Sequence, residues 1–303
     1  MTALAPAPIQ DRPILGLGLM LGFCITAPLS DGIAKLLTDH FAVMQLTFVR
    51  FVVQAAVLVP LVLATGRSFQ MSRLGWQLTV LRTILQITGI WLMVTALIHL
   101  PLADALAIAF VMPFILLLMG HLILGEHVGP RRLGACAVGF CGTLLVMQPS
   151  FQVVGWAVLY PLGVAVVFAT FMLVTRRVAT EADPIAMQAS SGGMAVFALG
   201  TASLLLPDTT ATTFATPGDL WWLLLLMGLL GTGGHLLMTW SLRYAPTATL
   251  GPIQYLEIPV ATVIGFLLFG DWPNGLAMAG IVITIATGLY ILWCERQIAN
   301  DSR

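Results

Sequence analysis

Long apolar runs separated by short polar segments make up most of the chain between residues 14 and 294. A helix needs about 20 mostly apolar residues to cross the hydrocarbon core of a bilayer. Runs of that length, bounded by prolines, glycines and charges, predict ten membrane-spanning helices and an all-α integral membrane protein. The predicted spans are 14–37, 43–64, 76–98, 103–124, 131–148, 153–174, 184–206, 219–243, 248–269 and 275–294.

The composition agrees with a membrane protein. Hydrophobic residues make up 59% of the chain and charged residues only 9%, whereas an average soluble domain is about 25% charged. The 13 basic residues balance the 13 acidic ones without forming a basic block, which excludes nucleic acid as a partner. The four cysteines lie in apolar runs without the spacing of metal ligands, so we expect no disulfide framework, no metal site and no cofactor.

The positive charges predict the orientation in the membrane. Ten arginines fall before the first span, after the last span or in every second loop, whereas the alternate loops contain only Lys35, near the end of the first span. Loops rich in lysine and arginine stay on the cytoplasmic side. We therefore expect cytoplasmic tails at 1–13 and 295–303, with the bilayer as the surroundings of everything between them.

The second half of the chain repeats the first. The segment HLPLADALAIAFVMPFILLLMGHLILGEHVG, at 99–129, aligns with 244–275. In this alignment Pro101 matches Pro246, Gly125-Glu126 matches Gly270-Asp271, and Pro113 falls within one residue of Pro259. The repeat predicts two units, 14–148 and 153–294, with five spans in each. An odd number of spans makes the second unit enter the membrane from the opposite side, as in many secondary transporters.

The repeated motifs also resemble a known family. The segments LILGEHVG and LLFGDWPNG, each followed by a last helix that contains glycines, are similar to those of the drug/metabolite transporter superfamily, in particular its members with two EamA domains. The resemblance implies a ten-helix carrier of the bacterial inner membrane with a central cavity for a small organic cargo. Amino acids, riboflavin and S-adenosylmethionine are cargoes that it suggests. It also implies that Gly-Glu and Gly-Asp close helices and do not bind cargo.

Glu257 is the leading candidate for a functional residue because it lies near the middle of the ninth span. A carboxylate at that depth is costly unless it is paired or wetted. Helical spacing places Gln254 on the same face, and Pro259 deprives the carbonyl of Tyr255 of its usual hydrogen-bond donor. We predict that Glu257 binds cargo or the coupling ion, a proton. A buried carboxylate that only fixes helix packing is the alternative.

Other polar and aromatic residues inside the spans complete the predicted site. Asp31 and Lys35 are four residues apart, which allows an ion pair within the first helix or a pair at the outer surface. Arg50 and Arg82 either bind carboxylates, including those of Asp31, Asp104 or Glu257, or extend to the interface. The predicted substrate-binding residues are Glu257, Gln254, Tyr255, His235, Trp240, Arg82, Gln86 and Asp31, with Glu257 and Asp31 also binding the coupling ion.

The sequence therefore favours a secondary transporter that works by alternating access as a monomer or homodimer. An intramembrane enzyme is the first alternative, but the chain contains no HExxH, GxSxG or P-loop motif. A passive channel is the second, and it fits an inverted repeat less well. Cargo, direction of transport and coupling ion are not determined at this level.

Overall fold

The computed structural model describes residues 13–112, 114, 115, 119, 130–179, 182–205, 214–245, 250 and 253–301. Within these ranges the chain is helical and contains no strand. Two short 3-10 helices, Gly155–Val158 and Gly218–Leu220, lead into longer α-helices. The α-helices are α1 (Pro13–Leu37), α2 (Val43–Ala64), α3 (Arg73–His99), α4 (Leu102–Ala109), α5 (Pro130–Val154), α6 (Leu159–Ala179), α7 (Pro184–Leu205), α8 (Trp221–Tyr244), α9 (Glu257–Phe269) and α10 (Gly275–Asp301).

Several helices have the length and composition of membrane spans. In the described ranges, five segments are long and apolar enough to cross a bilayer: Ile14–Leu37, Val43–Ala64, Arg73–His99, Gly155–Ala179 and Gly218–Tyr244. Three further apolar helices are shorter, namely Ala137–Val146, Glu257–Phe269 and Gly275–Thr287. Large apolar side chains such as Phe197 and Leu267 are 77% and 72% exposed, as expected for a surface that faces lipid. A count of ten spans and cytoplasmic termini remain predictions.

Helix α9 ends at the Gly-Asp motif. Gly270 has a φ of 70°, a left-handed conformation that glycine adopts without strain. Its N–H donates to the carbonyl of Phe266 at 3.0 Å, and the N–H of Asp271 donates to the carbonyl of Gly265 at 3.2 Å. The motif thus closes a helix in the second half of the chain. Its counterpart Glu126 lies outside the described residues.

The packing of the helices follows a two-fold pattern. The pairs α2–α7, α4–α9 and α5–α10 each join helices at the same place in the two halves. The remaining major contacts come in related couples, α1–α8 with α3–α6, α2–α8 with α3–α7, and α1–α9 with α4–α6. If α1 is renamed α6, α2 is renamed α7 and so on, each helix pair named above becomes either the same pair or the other pair of its couple. The two halves therefore interlock, and the space between them lies at the centre of the bundle.

Close approach of α5 and α10 depends on two glycines. A Cβ atom added to Gly280 would lie 2.5 Å from the carbonyl oxygen of Gly142 and 2.9 Å from the backbone nitrogen of Val146. These distances are too short for any side chain. Small residues of this kind let membrane helices pack backbone against backbone.

Several predicted helix bounds differ from the structure, and two of the differences are large. Helix α10 continues to Asp301, through most of the predicted tail 295–303, because polar residues with good helix propensity extend a helix beyond its apolar run. The predicted span 248–269 is not one continuous helix. Helix α9 begins only at Glu257, after a turn at residues 255 and 256.

Candidate functional site: a central cavity

A cavity lies between the two halves of the bundle, and helices of both halves form its wall. Its empty space is about 790 Å³, including its open mouth. Most of the wall is apolar, with a few charged and amide side chains. The lining residues are Phe23, Ala27, Asp31, Arg50, Leu85, Gln86, Gly89, Ile90, Met93, Leu106, Ala109, Phe110, Met112, Val164, Phe168, Phe171, His235, Gln254 and Glu257.

Five of the eight predicted substrate-binding residues line this cavity. They come from four regions of the chain: Asp31 from α1, Gln86 from α3, His235 from α8, and Gln254 and Glu257 from either side of the break at which α9 begins. Of these five residues, only Gln254 and Glu257 belong to the same predicted span, so helical spacing could predict only that these two lie together. The other three lie elsewhere, and we therefore exclude them from the proposed cargo-binding wall. These are Tyr255, Trp240 and Arg82.

Glu257 begins α9, which makes it the first residue after a break in the helix. Pro259 has no N–H to offer the carbonyl of Tyr255, and that carbonyl accepts from the N–H of Ile258 at 3.2 Å instead. A turn at residues 255 and 256 separates α9 from residues 253 and 254. A carboxylate at a helix N-terminus is stabilised by the free N–H groups and the dipole there.

The same break occurs at the matching place in the first half. The N–H of Val111 donates to the carbonyl of Ile108 at 3.2 Å, as the N–H of Leu256 does to that of Ile253 at 3.0 Å. The two breaks meet, because the ring centroids of Phe110 and Tyr255 are 5.3 Å apart. The repeat thus explains why the chain is irregular at this depth.

The two halves place equivalent positions at the cavity wall but give them different chemistry. In the repeat alignment Ala109 corresponds to Gln254, and Met112 corresponds to Glu257. All four side chains line the cavity. The fold accepts alanine and methionine at these positions in the first half. The amide of Gln254 and the carboxylate of Glu257 are therefore not requirements of the fold. They are features of the cavity.

Glu257 is 6% exposed and has no hydrogen bond or ion pair within the described part of the chain. The carboxylate of Asp31 faces the same cavity and repels it. Burying a carboxylate without a partner is unfavourable, and such groups in membrane helices generally bind ions, protons or substrates. In this position the carboxylate is available to an ion or a molecule in the cavity.

Asp31 forms a buried ion pair with Arg50. Its Oδ1 atom accepts from Nη1 of Arg50 at 3.1 Å, and the two side chains are 12% and 9% exposed. Room for the guanidinium comes from Gly231 on α8, where an added Cβ atom would lie 2.9 Å from Nη2 of Arg50. The interpretation of Arg50 as a partner of Asp31 is confirmed. This pair brings two opposite charges to the cavity wall.

The predicted ion pair between Asp31 and Lys35 is wrong. Lys35 Nζ instead lies 3.1 Å from Oδ2 of Asp271, donates to the carbonyl of Leu100 at 3.0 Å, and sits 4.7 Å from the ring centroid of Phe269. Asp31 points into the bundle toward Arg50, whereas Lys35 lies near the end of α1 and reaches the loop after α9. Tertiary packing therefore pairs Asp31 with Arg50 and Lys35 with Asp271, and not Asp31 with Lys35.

His235 lies between two aromatic rings at the cavity. Its ring centroid is 6.3 Å from that of Phe23 and 5.8 Å from that of Phe171. The Nδ1 atom is buried and has no hydrogen-bond partner among the described residues. Thr239, one turn further along α8, donates to the carbonyl of His235 at 2.7 Å and so serves the helix itself.

Arg82 belongs to a buried polar network behind the wall. Its guanidinium donates to Thr175 Oγ1 at 3.0 Å, to Ser191 Oγ at 2.8 Å and to the amide oxygen of Gln188. The Cζ atom also lies 4.7 Å from the ring centroid of Phe171. Arg82 thus finds neutral acceptors where a carboxylate was predicted. Through Gln86, which accepts from it at 3.4 Å, the network reaches the cavity.

Aromatic residues of the wall were missed by the sequence interpretation. Phe23, Phe110, Phe168 and Phe171 line the cavity. Phenylalanine is equally suited to lipid contact and to packing, so no pattern in the sequence separates these four from the other eleven of the 15 phenylalanines. Of the aromatic residues predicted to bind substrate, Trp240 packs near Leu58 and Ile185, and Tyr255 packs against Phe110.

A comparison with protein-family models identifies this architecture. The model of the EamA-like transporter family matches the chain twice, over residues 14–148 and 155–293. The chain belongs to the EamA-like transporter family. This family is part of the drug/metabolite transporter superfamily, so the resemblance seen in the sequence is confirmed. With bacterial relatives and several apolar helices, this EamA-like chain is a multi-pass protein of the inner membrane.

Relatives of this EamA-like chain are named as transporters. It is 29% identical over 225 residues to a riboflavin transporter of Rhizobium johnstonii, covering 71% of this chain and 70% of the relative. It is 25% identical over 291 residues to an S-adenosylmethionine uptake transporter of Rickettsia conorii, covering 95% of each chain. Family and relatives thus support a membrane transporter and weigh against an intramembrane enzyme.

A solved crystal structure has the same fold. It superimposes with a TM-score of 0.65 and 18% sequence identity, covering 95% of this chain and 99% of the other. At that identity the match concerns the fold alone.

Proposed function

We propose that this protein is a secondary transporter that carries a small organic metabolite across the inner membrane by alternating access. The observation that carries the proposal is Glu257, a buried carboxylate without a partner among the described residues, at a helix break in a cavity between two family repeats. Ten spans in two inverted units, with cytoplasmic termini, are part of the proposal. The two-fold pattern of helix contacts supports that arrangement.

The proposed cargo is a vitamin-like or amino-acid-like metabolite. The relatives named for riboflavin and S-adenosylmethionine support this size and class. The cavity supports it as well, since its wall combines aromatic rings with a few polar groups, as small-molecule sites generally do. Glu257 binds the cargo or the coupling proton, while Asp31 and Arg50 present a neutral pair beside it.

Two ion pairs fit the closing contacts that alternating access requires. Lys35 pairs with Asp271 at one end of the bundle, and Arg67 pairs with Asp183 at the other. Each pair joins a residue of the first half to a residue of the second. In the proposed cycle the pair at one end separates when that end opens, while the pair at the other end stays closed.

The decisive experiment is transport by the Glu257→Gln protein in liposomes. Glutamine keeps the size of the side chain and removes its charge and its proton. We expect this variant to fold and insert but to lose flux, or to lose its dependence on a proton gradient. Asp219→Asn, which removes an exposed carboxylate away from the cavity, is the matched control. Normal flux by Glu257→Gln with an intact proton dependence would contradict the proposed role.

The same liposomes separate a carrier from a passive channel. Unlabelled cargo trapped inside should accelerate entry of labelled cargo, because a carrier returns faster when loaded. A channel shows no such acceleration. The compounds for the first screen are riboflavin, S-adenosylmethionine, nucleosides and amino acids, detected by their effect on the melting temperature of the purified protein.

A further inference from the structure

Gln254 is a buried amide with nothing to bind in the described part of the chain. The residue is fully buried, and neither its Oε1 nor its Nε2 atom has a hydrogen-bond partner there. Buried amides in folded proteins nearly always have partners, since an unpaired one loses its bonds to water and gains nothing. The residue borders the central cavity, so a molecule bound there is the candidate for the missing partner.

The other buried glutamines of the described ranges differ from Gln254 in this respect. Gln45 binds both backbone groups of Ala215, donating at 2.7 Å and accepting at 2.8 Å. Gln54 donates to the backbone carbonyl of Gln188 at 2.8 Å, and Gln86 accepts from Arg82. Each of these amides holds two segments together. Gln254 holds none, and its counterpart in the first half is Ala109, so the fold does not require an amide at this position.

The chemistry of a primary amide defines what it would bind. It presents one acceptor and one donor side by side in a plane. The complementary edge is an N–H next to a carbonyl, as in an imide, or an amino group next to a ring nitrogen, as in an aminopurine. Such a pair of bonds discriminates strongly, because a ligand without the matching edge leaves the amide unpaired.

Aromatic rings of the same cavity wall suit the faces of a planar ligand. The rings of Phe23 and Phe168 are inclined by 9° with centroids 6.4 Å apart, and those of Phe168 and Phe171 by 24° with centroids 5.6 Å apart. The three rings thus form one nearly parallel series along the cavity wall. Offset stacking on rings of this kind stabilises flat aromatic ligands.

We propose that Gln254 determines specificity by binding the edge of a flat heterocycle with adjacent hydrogen-bond donor and acceptor, whose face stacks on Phe23 or Phe168. This inference rests on the proposed function, since it takes the central cavity as the cargo site. Two sources of this chemistry are an imide-bearing heterocycle such as the flavin ring and an aminopurine. Both present an edge that a glutamine amide matches.

The test measures binding of paired probes to the purified full-length protein. Riboflavin is compared with its 3-methyl derivative, and adenosine with N6,N6-dimethyladenosine, because methylation blocks the edge and leaves the ring flat. We expect one parent compound to bind wild type roughly 10- to 100-fold more tightly than its methylated form, as two lost hydrogen bonds imply. In Gln254→Leu that ratio should fall to about one. The pair that responds identifies the heterocycle.

Stability provides a second measurement that needs no ligand. Replacing an unpaired buried amide by an apolar group of similar shape is neutral or stabilising. Gln254→Leu should therefore keep or raise the melting temperature. Gln45→Leu is the matched control, because it removes an amide of the same size that does have partners. That variant should melt at a lower temperature and retain the ligand discrimination of wild type.

Three results would overturn the inference: equal binding of parent and methylated probes by wild type, retained discrimination in Gln254→Leu, or binding of neither heterocycle. If neither heterocycle binds but an amino acid does, the specificity inference fails and the proposed transport function stands. If cargo flux itself is absent from wild-type liposomes, the proposed function fails.

Discussion

The ion pair between Lys35 and Asp271 yields a prediction that follows directly from the geometry. The ammonium group is held by the carboxylate at 3.1 Å, by the carbonyl of Leu100 at 3.0 Å and by the ring of Phe269 at 4.7 Å. Together these contacts join the end of α1 to the α3–α4 corner and to the α9–α10 loop. The perturbation is Asp271→Asn, which removes the negative charge and nearly preserves the shape of the side chain.

The size of the effect follows from the exposure of the pair. The side chains of Lys35 and Asp271 are 16% and 36% exposed, so water screens part of their attraction. A partly exposed ion pair contributes about 1 kcal/mol. Because 1.4 kcal/mol corresponds to about a tenfold change in an equilibrium, loss of the charge should raise the population with a released Lys35 about fivefold. The remaining contacts with Leu100 and Phe269 keep the increase moderate.

Lys35 is the only lysine in the sequence, which makes the assay direct. An amine-reactive acylating reagent modifies Lys35 when the amine leaves its contacts, and the modified peptide is quantified by mass spectrometry. The N-terminal amine is on a different peptide and serves as an internal reference. We expect acylation of Lys35 in Asp271→Asn to be about five times faster than in wild type.

The matched control is Asp39→Asn. Asp39 is an exposed acid just after α1, and no ion pair of the described residues involves it. Its replacement lowers the local negative charge by the same amount without touching the contacts of Lys35. If both variants acylate at the same rate, or if neither differs from wild type, the ion pair does not restrain Lys35 and the reasoning is refuted.

Two further predictions concern stability. Asp31→Asn leaves the Arg50 guanidinium buried without its counter-charge, so we expect the free energy of unfolding to fall by about 3 kcal/mol. The melting temperature in detergent should fall accordingly, and adding Arg50→Gln should largely restore it. A double variant as unstable as Asp31→Asn would contradict this. Gly280→Leu should force α5 and α10 apart, so the peak of folded protein should be lost in size-exclusion chromatography. Gly134 faces open space, so Gly134→Leu should leave the elution profile unchanged. Equal profiles for the two variants would refute the packing argument.

Part of the candidate site was predictable because polar residues are conspicuous in apolar runs. Glu257, Gln254 and His235 stand out by the cost of placing them in a membrane, and all three line the cavity. Phe168 and Phe171 do not stand out, because the same side chain serves lipid, core and cavity. Their membership of the wall depends on which face of α6 meets α3, and that is decided by packing between distant helices.

The pairing of charges shows a second limit of sequence patterns. Helical spacing puts Asp31 and Lys35 on one face of the first helix. It does not reveal that Arg50 of α2 and Asp271 of the α9–α10 loop lie nearer to them. A buried charge pairs with the opposite charge that helix packing brings nearest to it. The partner of Asp31 is 19 residues away in the chain, and the partner of Lys35 is 236 residues away.

By itself the sequence determined the membrane location, the positions of most helices and the family, whose model matches the chain twice. It could do so because a hydrocarbon solvent requires long apolar segments with internally satisfied backbones, and a duplicated unit repeats its prolines and glycines. Only the tertiary structure decided where α9 begins, which charges pair, and that Gln254 has no partner in the described chain. These properties depend on atoms from several helices meeting at one place, and no single segment contains that information.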